Sequence, residues 1–442
     1  MKKKCFKRAA MLCVAVILLS FCSCKNSRTA DSQQTESSSA GSLEPTPEEA
    51  PSRIHFLGKR DDAVTTQQGV YFLGPDAPNV IYYYDEQSDT SVPLCSRPEC
   101  AHNDDSCSAY MEGMLYLLLD DQNQTQPLYL YRTVESTQEG QNPKVQLYSM
   151  DANGANRTLR MEYQNGLVDL PMAASEDFLY FIASEVDSST QSSIECLYQV
   201  TLRSGKLEKL QEYSQPTTLL GAYDQKLILE HNNDSLRQVA ADIFEYDVVS
   251  KQEKQLFHYE AAPWVEGELN GKPHPVAFSW QNELYIFEPS EERKATLTCW
   301  DLRTGEKNVL AQGVPYYGDQ IAEDVEFADG KLILLCAENR ADGSGVTSQT
   351  FAIDLNSGAW QEIDLKDQYG LGYEVVGATA DHYVFALGES LHTSEVVKKD
   401  GTKETLRYYA PDFYLMEKAD YYSSTDHDVM YRGWITPKNI TS

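Results

Sequence analysis

The feature that most constrains the fold of this 442-residue chain is a hairpin motif that recurs along it. Each copy has an apolar or aromatic strand, a turn of polar residues or Gly, and a second, more charged strand. Alternating side chains give a strand two faces, and Gly or Asn supplies the positive φ that a tight turn requires. Each copy therefore predicts two antiparallel strands. The copies span residues 81–94, 147–159, 197–210, 244–257, 299–310 and 351–363.

An Asp stands just before the turn in five of these copies, and Thr201 takes its place in the third. An Asp before a tight turn accepts hydrogen bonds from backbone N–H groups a few residues ahead. We therefore interpret these residues as structural rather than catalytic. They are Asp85, Asp151, Asp247, Asp301 and Asp354.

A second motif precedes each hairpin. It is a turn residue followed by a compact apolar run such as "GVYFLG" or "QKLILEH". A strand that is buried on both faces has a continuous apolar sequence, and the inner strands of a propeller blade are of this kind. We interpret each run as the strand that enters a new blade. The runs begin at residues 69, 113, 177, 225, 282, 330 and 381.

These repeats predict an all-β fold, a β-propeller of seven blades with about four strands each. Six or eight blades are the alternatives, because residues 53–58 and 412–433 must also be placed. We expect the N-terminal strand to pair into the last blade, since this would remove open sheet edges. A pair of β-sandwiches is disfavoured because the repeat runs the length of the domain.

The first 23 residues are predicted to be a lipoprotein signal peptide. A basic start is followed by an apolar run, Ala9 to Phe21, that is shorter than the roughly 20 residues a membrane span needs. The small residue Ser23 precedes Cys24, and this arrangement resembles a bacterial lipobox. The resemblance implies cleavage before Cys24 and diacylation of its sulfur. Cys22 is the second choice, and plain secretion without lipid is the alternative.

Residues 24–52 follow as a predicted disordered tether. The stretch from Asn26 to Ser52 is rich in Ser, Thr, Gln, Glu and Pro, with no aromatic residue and a single Leu. Such a sequence buries too little apolar surface to offset the entropy of ordering it. The predicted propeller then spans residues 53–434, and residues 435–442 form a C-terminal tail.

The segment "PLCSRPECAHNDDSCSAY" concentrates metal-ligand chemistry in one short stretch. It contains Cys95, Cys100, His102 and Cys107, four ligands that could close a tetrahedral structural zinc site. A disulfide is the competing hypothesis, because exported cysteines often oxidise, although three cysteines cannot all pair among themselves. A redox or metal-sensing role is a third hypothesis. The sequence leaves the choice between metal and disulfide open.

Three further cysteines lie inside apolar strand patterns, and buried free cysteine behaves as a small apolar residue. We therefore predict that Cys196, Cys299 and Cys336 belong to the core.

The hairpins and apolar strands together resemble the TolB-like propellers of exported bacterial proteins. They also resemble lipoproteins of Firmicutes that carry a domain of unknown function, and the cysteine segment is similar to one in those lipoproteins. The propeller resemblance covers residues 53–434. It implies an architecture and an extracytoplasmic location, but no chemistry.

The composition argues against several other functions. A formal net charge of −30 lacks the basic footprint that nucleic-acid binding needs. No HExxH, GxSxG, P-loop, dinucleotide-binding or EF-hand pattern occurs in the sequence. We interpret His55, His382 and His392 as strand or loop residues rather than ligands. Asp426 and Asp428 would share one face of a strand, but a solvated turn explains them better than a cation site.

The sequence therefore predicts an exported lipoprotein, anchored to the cell membrane by lipid. It would lie at the cell surface in a bacterium with one membrane and in the periplasm in one with two. We expect its propeller to act as a monomeric, non-catalytic scaffold for a protein, peptide or glycan. The alternative is a carbohydrate-active enzyme, a glycan lyase or hydrolase, with carboxylates that converge on the central channel.

Overall fold

A computed structural model of the chain describes most of the predicted propeller. The predicted signal peptide, Cys24, the tether and everything after residue 423 lie outside the described residues, and so do Asp426 and Asp428. The described ranges are 53–57, 63–74, 77–112, 114–118, 128–134, 142–186, 193–232, 240–260, 275–290, 294–315, 320–339, 346–366, 372–397 and 403–423.

The described residues form seven antiparallel sheets that follow one another along the chain. We number them as blades 1 to 7, and within a blade the strands run from the innermost to the outermost in chain order. Blade 3 is the exception, because its short strand Gly166–Val168 pairs with the long strand Phe178–Val186 and the N-terminal strand joins its inner side. An N-terminal strand, β1 (His55–Leu57), precedes blade 1, and a short helix, α1 (Lys418–Ser423), follows blade 7.

The strands of blades 1 to 4 are β2 (Ala63–Thr66), β3 (Gly69–Gly74), β4 (Ala77–Asp85) and β5 (Thr90–Pro93); β6 (Met114–Leu118), β7 (Leu128–Val134), β8 (Lys144–Met150) and β9 (Thr158–Tyr163); β10 (Gly166–Val168), β11 (Met172–Ala174), β12 (Phe178–Val186), β13 (Ser193–Thr201) and β14 (Lys206–Tyr213); and β15 (Thr217–Tyr223), β16 (Lys226–Asn232), β17 (Ala240–Asp247) and β18 (Gln252–Glu260).

The strands of blades 5 to 7 are β19 (Val276–Trp280), β20 (Glu283–Pro289), β21 (Lys294–Asp301) and β22 (Lys307–Pro315); β23 (Gln320–Ala328), β24 (Lys331–Asn339), β25 (Val346–Asp354) and β26 (Trp360–Ile363); and β27 (Glu374–Ala378), β28 (His382–Val397) and β29 (Lys403–Glu417).

This arrangement confirms the predicted seven-bladed β-propeller. All six predicted hairpins form the two outer strands of a blade, from the pair β4 and β5 in blade 1 to the pair β25 and β26 in blade 6. The apolar runs form the second strand of six blades. In blade 2 the run that begins at residue 113 is instead the innermost strand, β6, and β7 is the second strand. The prediction that each run enters a new blade therefore holds for blade 2 alone, because successive strands of a blade, such as β6 and β7, are equally apolar.

The core consists of apolar clusters between neighbouring blades. Val384 of blade 7, Val70 of blade 1 and Leu130 of blade 2 belong to a single cluster, and each is fully buried. The remaining neighbours, from blades 2 and 3 to blades 6 and 7, share five further clusters of the same kind. The sheets therefore close into a ring, because each blade is packed against the next and the last against the first.

The position of the N-terminal strand differs from our expectation. It pairs with β11 on the inner side of blade 3, where His55 lies opposite Ala174 and Leu57 opposite Met172. The backbone N–H of Ile54 donates to the carbonyl of Asp224 in blade 4, at 2.6 Å. The prediction that this strand pairs into the last blade was wrong. Its apolar side chains, Ile54 and Leu57, are instead buried in the clusters that join blades 3 and 4 and blades 2 and 3.

Among the described residues, blade 7 meets blade 1 through hydrogen bonds rather than through a shared strand, and one of these runs from the Ala380 N–H to the Gln67 carbonyl at 3.0 Å. The Thr65 hydroxyl accepts a hydrogen bond from the backbone N–H of Ala378 at 3.1 Å. The Glu86 carboxylate accepts one from the Thr379 hydroxyl at 2.8 Å and is hydrogen-bonded to Nδ1 of His382, which is only 2% exposed. These bonds join the ends of the ring, and His382 is a strand residue, as predicted.

The C-terminal helix is a single short element beside blade 7. Its Tyr421 is buried in the cluster between blades 6 and 7. Within the described ranges, no helix is both long enough and apolar enough to span a membrane.

The predicted role of the turn aspartates is confirmed where the carboxylates cap their turns. Asp85, Asp247, Asp301 and Asp354 each accept hydrogen bonds from backbone N–H groups two or three residues ahead. The hydrogen bonds from the Ser357 hydroxyl and backbone, together with Lys331, lower the pKa of Asp354 to about 2. Asp354 therefore stays ionised and holds its turn.

Gly358 and Gly305 occupy equivalent positions in two hairpin turns and provide a matched test of blade packing. Both have positive φ, 70° and 76°. A Cβ on Gly358 would lie 1.7 Å from the Leu310 carbonyl oxygen in blade 5, whereas a Cβ on Gly305 would meet nothing within 4 Å.

We expect Gly305→Ala to lower the free energy of unfolding by about 1–2 kcal/mol, because of its backbone conformation alone. Gly358→Ala should cost about 1–3 kcal/mol more, because blades 5 and 6 must separate locally. Urea unfolding of both variants measures the difference, and equal losses would contradict the packing of this turn on blade 5.

Candidate metal centre

The cysteine segment forms the connection from the outermost strand of blade 1 to the innermost strand of blade 2. Its two ends are both fixed on Ile81 in β4. The Leu94 N–H donates to the Ile81 carbonyl at 2.8 Å, and the Ile81 N–H donates to the Ala109 carbonyl at 2.9 Å. Cys95 follows the first of these anchors directly, and Cys107 lies two residues before the second. The sheet therefore fixes the backbone beside both cysteines.

The structure brings together all four residues that the sequence singled out. The ligand atoms of Cys95, Cys100, His102 and Cys107 all lie within 4.8 Å of one another. Cys107 is 1% exposed, and the other three are half-buried. His102 has a positive φ of 50°, a conformation uncommon for a residue other than Gly, and its Nδ1 lies 3.2 Å from the Cys107 sulfur. The loop therefore turns inward at His102.

This geometry fits zinc. Zinc–sulfur bonds of about 2.3 Å in a tetrahedron place the sulfur atoms roughly 3.8 Å apart. The four atoms of this group need to move by only about 1 Å to reach those separations. Three thiolates and one imidazole are a ligand set typical of structural zinc, and all four positions of the tetrahedron would be filled by the protein.

The electrostatic surroundings also suit a metal. Burial and the nearby charge of Arg97 lower the pKa of His102, so its imidazole is neutral, as a ligand must be. Burial opposes ionisation of Cys95, but hydrogen bonds from the Arg97 backbone and guanidinium outweigh it and lower its pKa to about 7. Burial, with a hydrogen bond that the Cys107 thiol donates to Cys100, raises the pKa of Cys107 to about 12. A bound cation would be needed to deprotonate Cys107.

Arg97 is the nearest positive charge to the sulfur atoms. Its Nη2 donates to the Cys100 sulfur at 3.2 Å and also to the Ser106 carbonyl. Three thiolates around a divalent ion leave a net charge of about −1, which this guanidinium would offset.

Blade 2 holds the loop from the other side through Arg157, which sequence reasoning missed. Its guanidinium donates to the carbonyls of Ser108 at 3.2 Å and Asp105 at 3.1 Å, and also to that of Tyr110. Arg157 lies far from the cysteines in the sequence, and no pattern marks its partner. The loop is thus fastened to both blades whether or not a metal is present.

The cysteines of the described residues are all free thiols. Cys196 and Cys336 are fully buried, and Cys299 packs against the cluster between blades 5 and 6, so the predicted core role of these three is confirmed.

A half-buried carboxylate in blade 3 is hydrogen-bonded to tyrosines. Glu185 in blade 3 accepts hydrogen bonds from the hydroxyls of Tyr163 and Tyr198 and, at 2.9 Å, from the Lys209 ammonium. Across the described ranges, the Cys95–Cys107 group is the one cluster of three or more His, Cys, Asp or Glu side chains placed to hold an ion. The glycan-cleaving alternative receives no support from these contacts.

No protein-family model and no curated protein matches the sequence. Among solved structures, the chain is similar to TolB from Acinetobacter baumannii, with 12% identity, a TM-score of 0.33, and coverage of 72% of this chain and 64% of TolB.

Two further similar structures come from archaea. The acylaminoacyl peptidase of Pyrococcus horikoshii is 8% identical with a TM-score of 0.42, over 83% of this chain and 51% of the peptidase. The β-propeller domain of the Trilobed protease from Pyrococcus furiosus is 11% identical with a TM-score of 0.38, over 83% of this chain and 96% of that domain. The fold assignment here rests on the seven sheets of the chain itself.

Removing the Arg157 guanidinium should loosen the loop without touching a ligand. We expect Arg157→Met to lower the free energy of unfolding by about 1–3 kcal/mol, because three backbone carbonyls lose a charged donor. Hydrogen exchange of residues 94–112 should accelerate selectively. The matched control is Arg203→Met, which breaks only an exposed ion pair with Asp177 at 3.0 Å and should change stability by less than about 1 kcal/mol. Equal effects of the two variants would contradict the role of Arg157 in holding the loop.

Proposed function

We propose that the chain is an exported lipoprotein whose seven-bladed ring is a non-catalytic binding scaffold, stiffened by a structural zinc ion. The ion would be held by Cys95, Cys100, His102 and Cys107. The observation that carries the proposal is that these four ligand atoms lie within 4.8 Å of one another on a loop fastened to two blades. A lipid on Cys24 would anchor the ring through residues 24–52.

A structural role for the metal follows from the ligand count and the burial. A catalytic zinc ion keeps a coordination position open for water, whereas four protein ligands close the site. Cys107 is almost inaccessible, and the backbone on either side of the loop is fixed on Ile81. Zinc would therefore stabilise the junction between blades 1 and 2.

The binding role follows from the architecture. A ring of packed blades is a rigid support, and loops on rigid supports are common recognition sites. The net charge of −30 favours a partner with positive charge over nucleic acid. We propose a protein, peptide or glycan outside the cytoplasm as the partner, and a monomeric ring as the binding unit.

The zinc proposal predicts about one zinc ion per chain when the full chain is purified in detergent without chelator. Cys107→Ser should lose the ion and lower the melting temperature, because a closed site needs all four ligands. Cys196→Ser, which alters a buried core thiol remote from the site, should keep it. Elemental analysis of the wild type and the two variants measures the zinc content. A wild-type chain without metal would contradict the proposal.

The anchor proposal predicts that Cys24→Ser abolishes lipid attachment. Cells fed an alkyne-tagged fatty acid should label the wild-type chain and Cys22→Ser, but not Cys24→Ser. Mass spectrometry of the labelled N-terminus should place the lipid on Cys24. Label retained by Cys24→Ser and lost by Cys22→Ser would move the anchor to the second-choice cysteine.

A further inference from the structure

We propose that the metal centre has a second closed state, in which Cys95 and Cys107 form a disulfide and the zinc ion leaves. The site would then respond to thiol oxidants outside the cytoplasm. This inference rests on the proposed zinc site and assigns a regulation to it. It accounts for both hypotheses that the sequence left open, a metal site and a disulfide.

The backbone anchors single out Cys95 and Cys107 as the pair. Leu94, next to Cys95, and Ala109, two residues beyond Cys107, are hydrogen-bonded to the carbonyl and to the N–H of the same residue, Ile81. Their sulfur atoms lie within 4.8 Å of each other. A bond between them leaves both anchors in place, and it also leaves the three carbonyl contacts of Arg157.

Cys100 is placed differently. It lies in the middle of the loop sequence, away from both anchors, and its sulfur accepts a hydrogen bond from Arg97. The backbone N–H of Cys100 donates only within the loop, to the Arg97 carbonyl at 3.2 Å. Nothing ties this stretch of backbone to β4 as Leu94 and Ala109 are tied. We therefore assign Cys100 as the thiol that remains free after oxidation.

The chemistry uses a low-molecular-weight disulfide as oxidant. The half-buried Cys95 thiolate attacks one sulfur of the oxidant, forms a mixed disulfide and expels one thiolate. The Cys107 thiolate then attacks the Cys95 sulfur and expels the second. Two protein thiolates lose two electrons in total, and the two expelled thiolates carry those electrons and take protons from water. With two ligands lost, zinc is released to solvent.

Oxidation would change the outer loop and leave its base unchanged. Residues 96–106 would lose their attachment to the ion through Cys100 and His102, while the base stays closed by the new bond. The loop between blades 1 and 2 is held at four ligands when zinc is bound. After oxidation it would be held only at its two ends, by the Cys95–Cys107 bond. A partner that contacts this connection would distinguish the two states.

The test uses the zinc-loaded full chain in detergent and oxidised glutathione as the probe. A zinc-sensitive dye measures release, and peptide mapping after alkylation identifies the disulfide. We expect one zinc ion released per Cys95–Cys107 disulfide formed, with reversal by dithiothreitol and added zinc. Retention of zinc by an oxidant-treated chain, or release with a different cysteine pair, would overturn the switch while leaving the zinc site intact.

Two variants separate the disulfide from the metal. Cys100→Ser should lose stoichiometric zinc but still form the Cys95–Cys107 bond, whereas Cys95→Ser should form no disulfide in this segment. Cys299→Ser, in the core between blades 5 and 6, is the matched control and should behave as the wild type. A Cys95–Cys107 disulfide in a wild-type chain that never binds zinc would instead overturn the proposed zinc site.

Discussion

Each blade of this ring has two apolar faces, and only a neighbouring blade can cover them. Second-strand residues such as Phe72, Phe181, Phe287 and Phe385 are fully buried because they lie between two sheets, not on the outside of one. An open row of such sheets would leave an apolar face at each end exposed to water. The last blade therefore has to pack against the first, and the contacts between these two blades serve that requirement.

The ends of the ring meet through hydrogen bonds because the N-terminal strand is paired elsewhere. Because β1 is paired with blade 3, it cannot complete blade 7, and the ends of the ring meet through Glu86, Thr379 and His382. A buried carboxylate and imidazole are costly to desolvate unless they pair with each other. Their pairing therefore offsets the cost of placing both groups at the junction. Elsewhere tyrosine hydroxyls do a similar task, as where Tyr213 of blade 3 donates to Glu253 of blade 4 at 2.5 Å.

The sequence predicted the local features and missed the distant ones. The hairpins were predicted correctly because strand alternation and turn chemistry lie within a dozen residues, as at Asp301 and Gly305. The place of the apolar runs within their blades was not, since two consecutive apolar strands carry the same pattern whichever is innermost. The pairing of β1 with β11 joins residues more than a hundred positions apart, and no periodicity records it. The cysteine group was found because its ligands are close in sequence, whereas Arg157 was not.

The proposed metal centre lies in a long irregular loop. The connection from Leu94 to Glu112 contains no named strand or helix, and irregular loops of this length are costly to order and are usually functional. Hydrogen bonds to Ile81 fix its base, and Arg157 holds its far side. The outer part, around Cys100, has no such backbone anchor to β4. A cross-link there lowers the entropy of the unfolded loop and limits its conformations when folded. The ligand group lies where the backbone alone leaves the loop least constrained, which is also where loss of the cross-link would change the surface most.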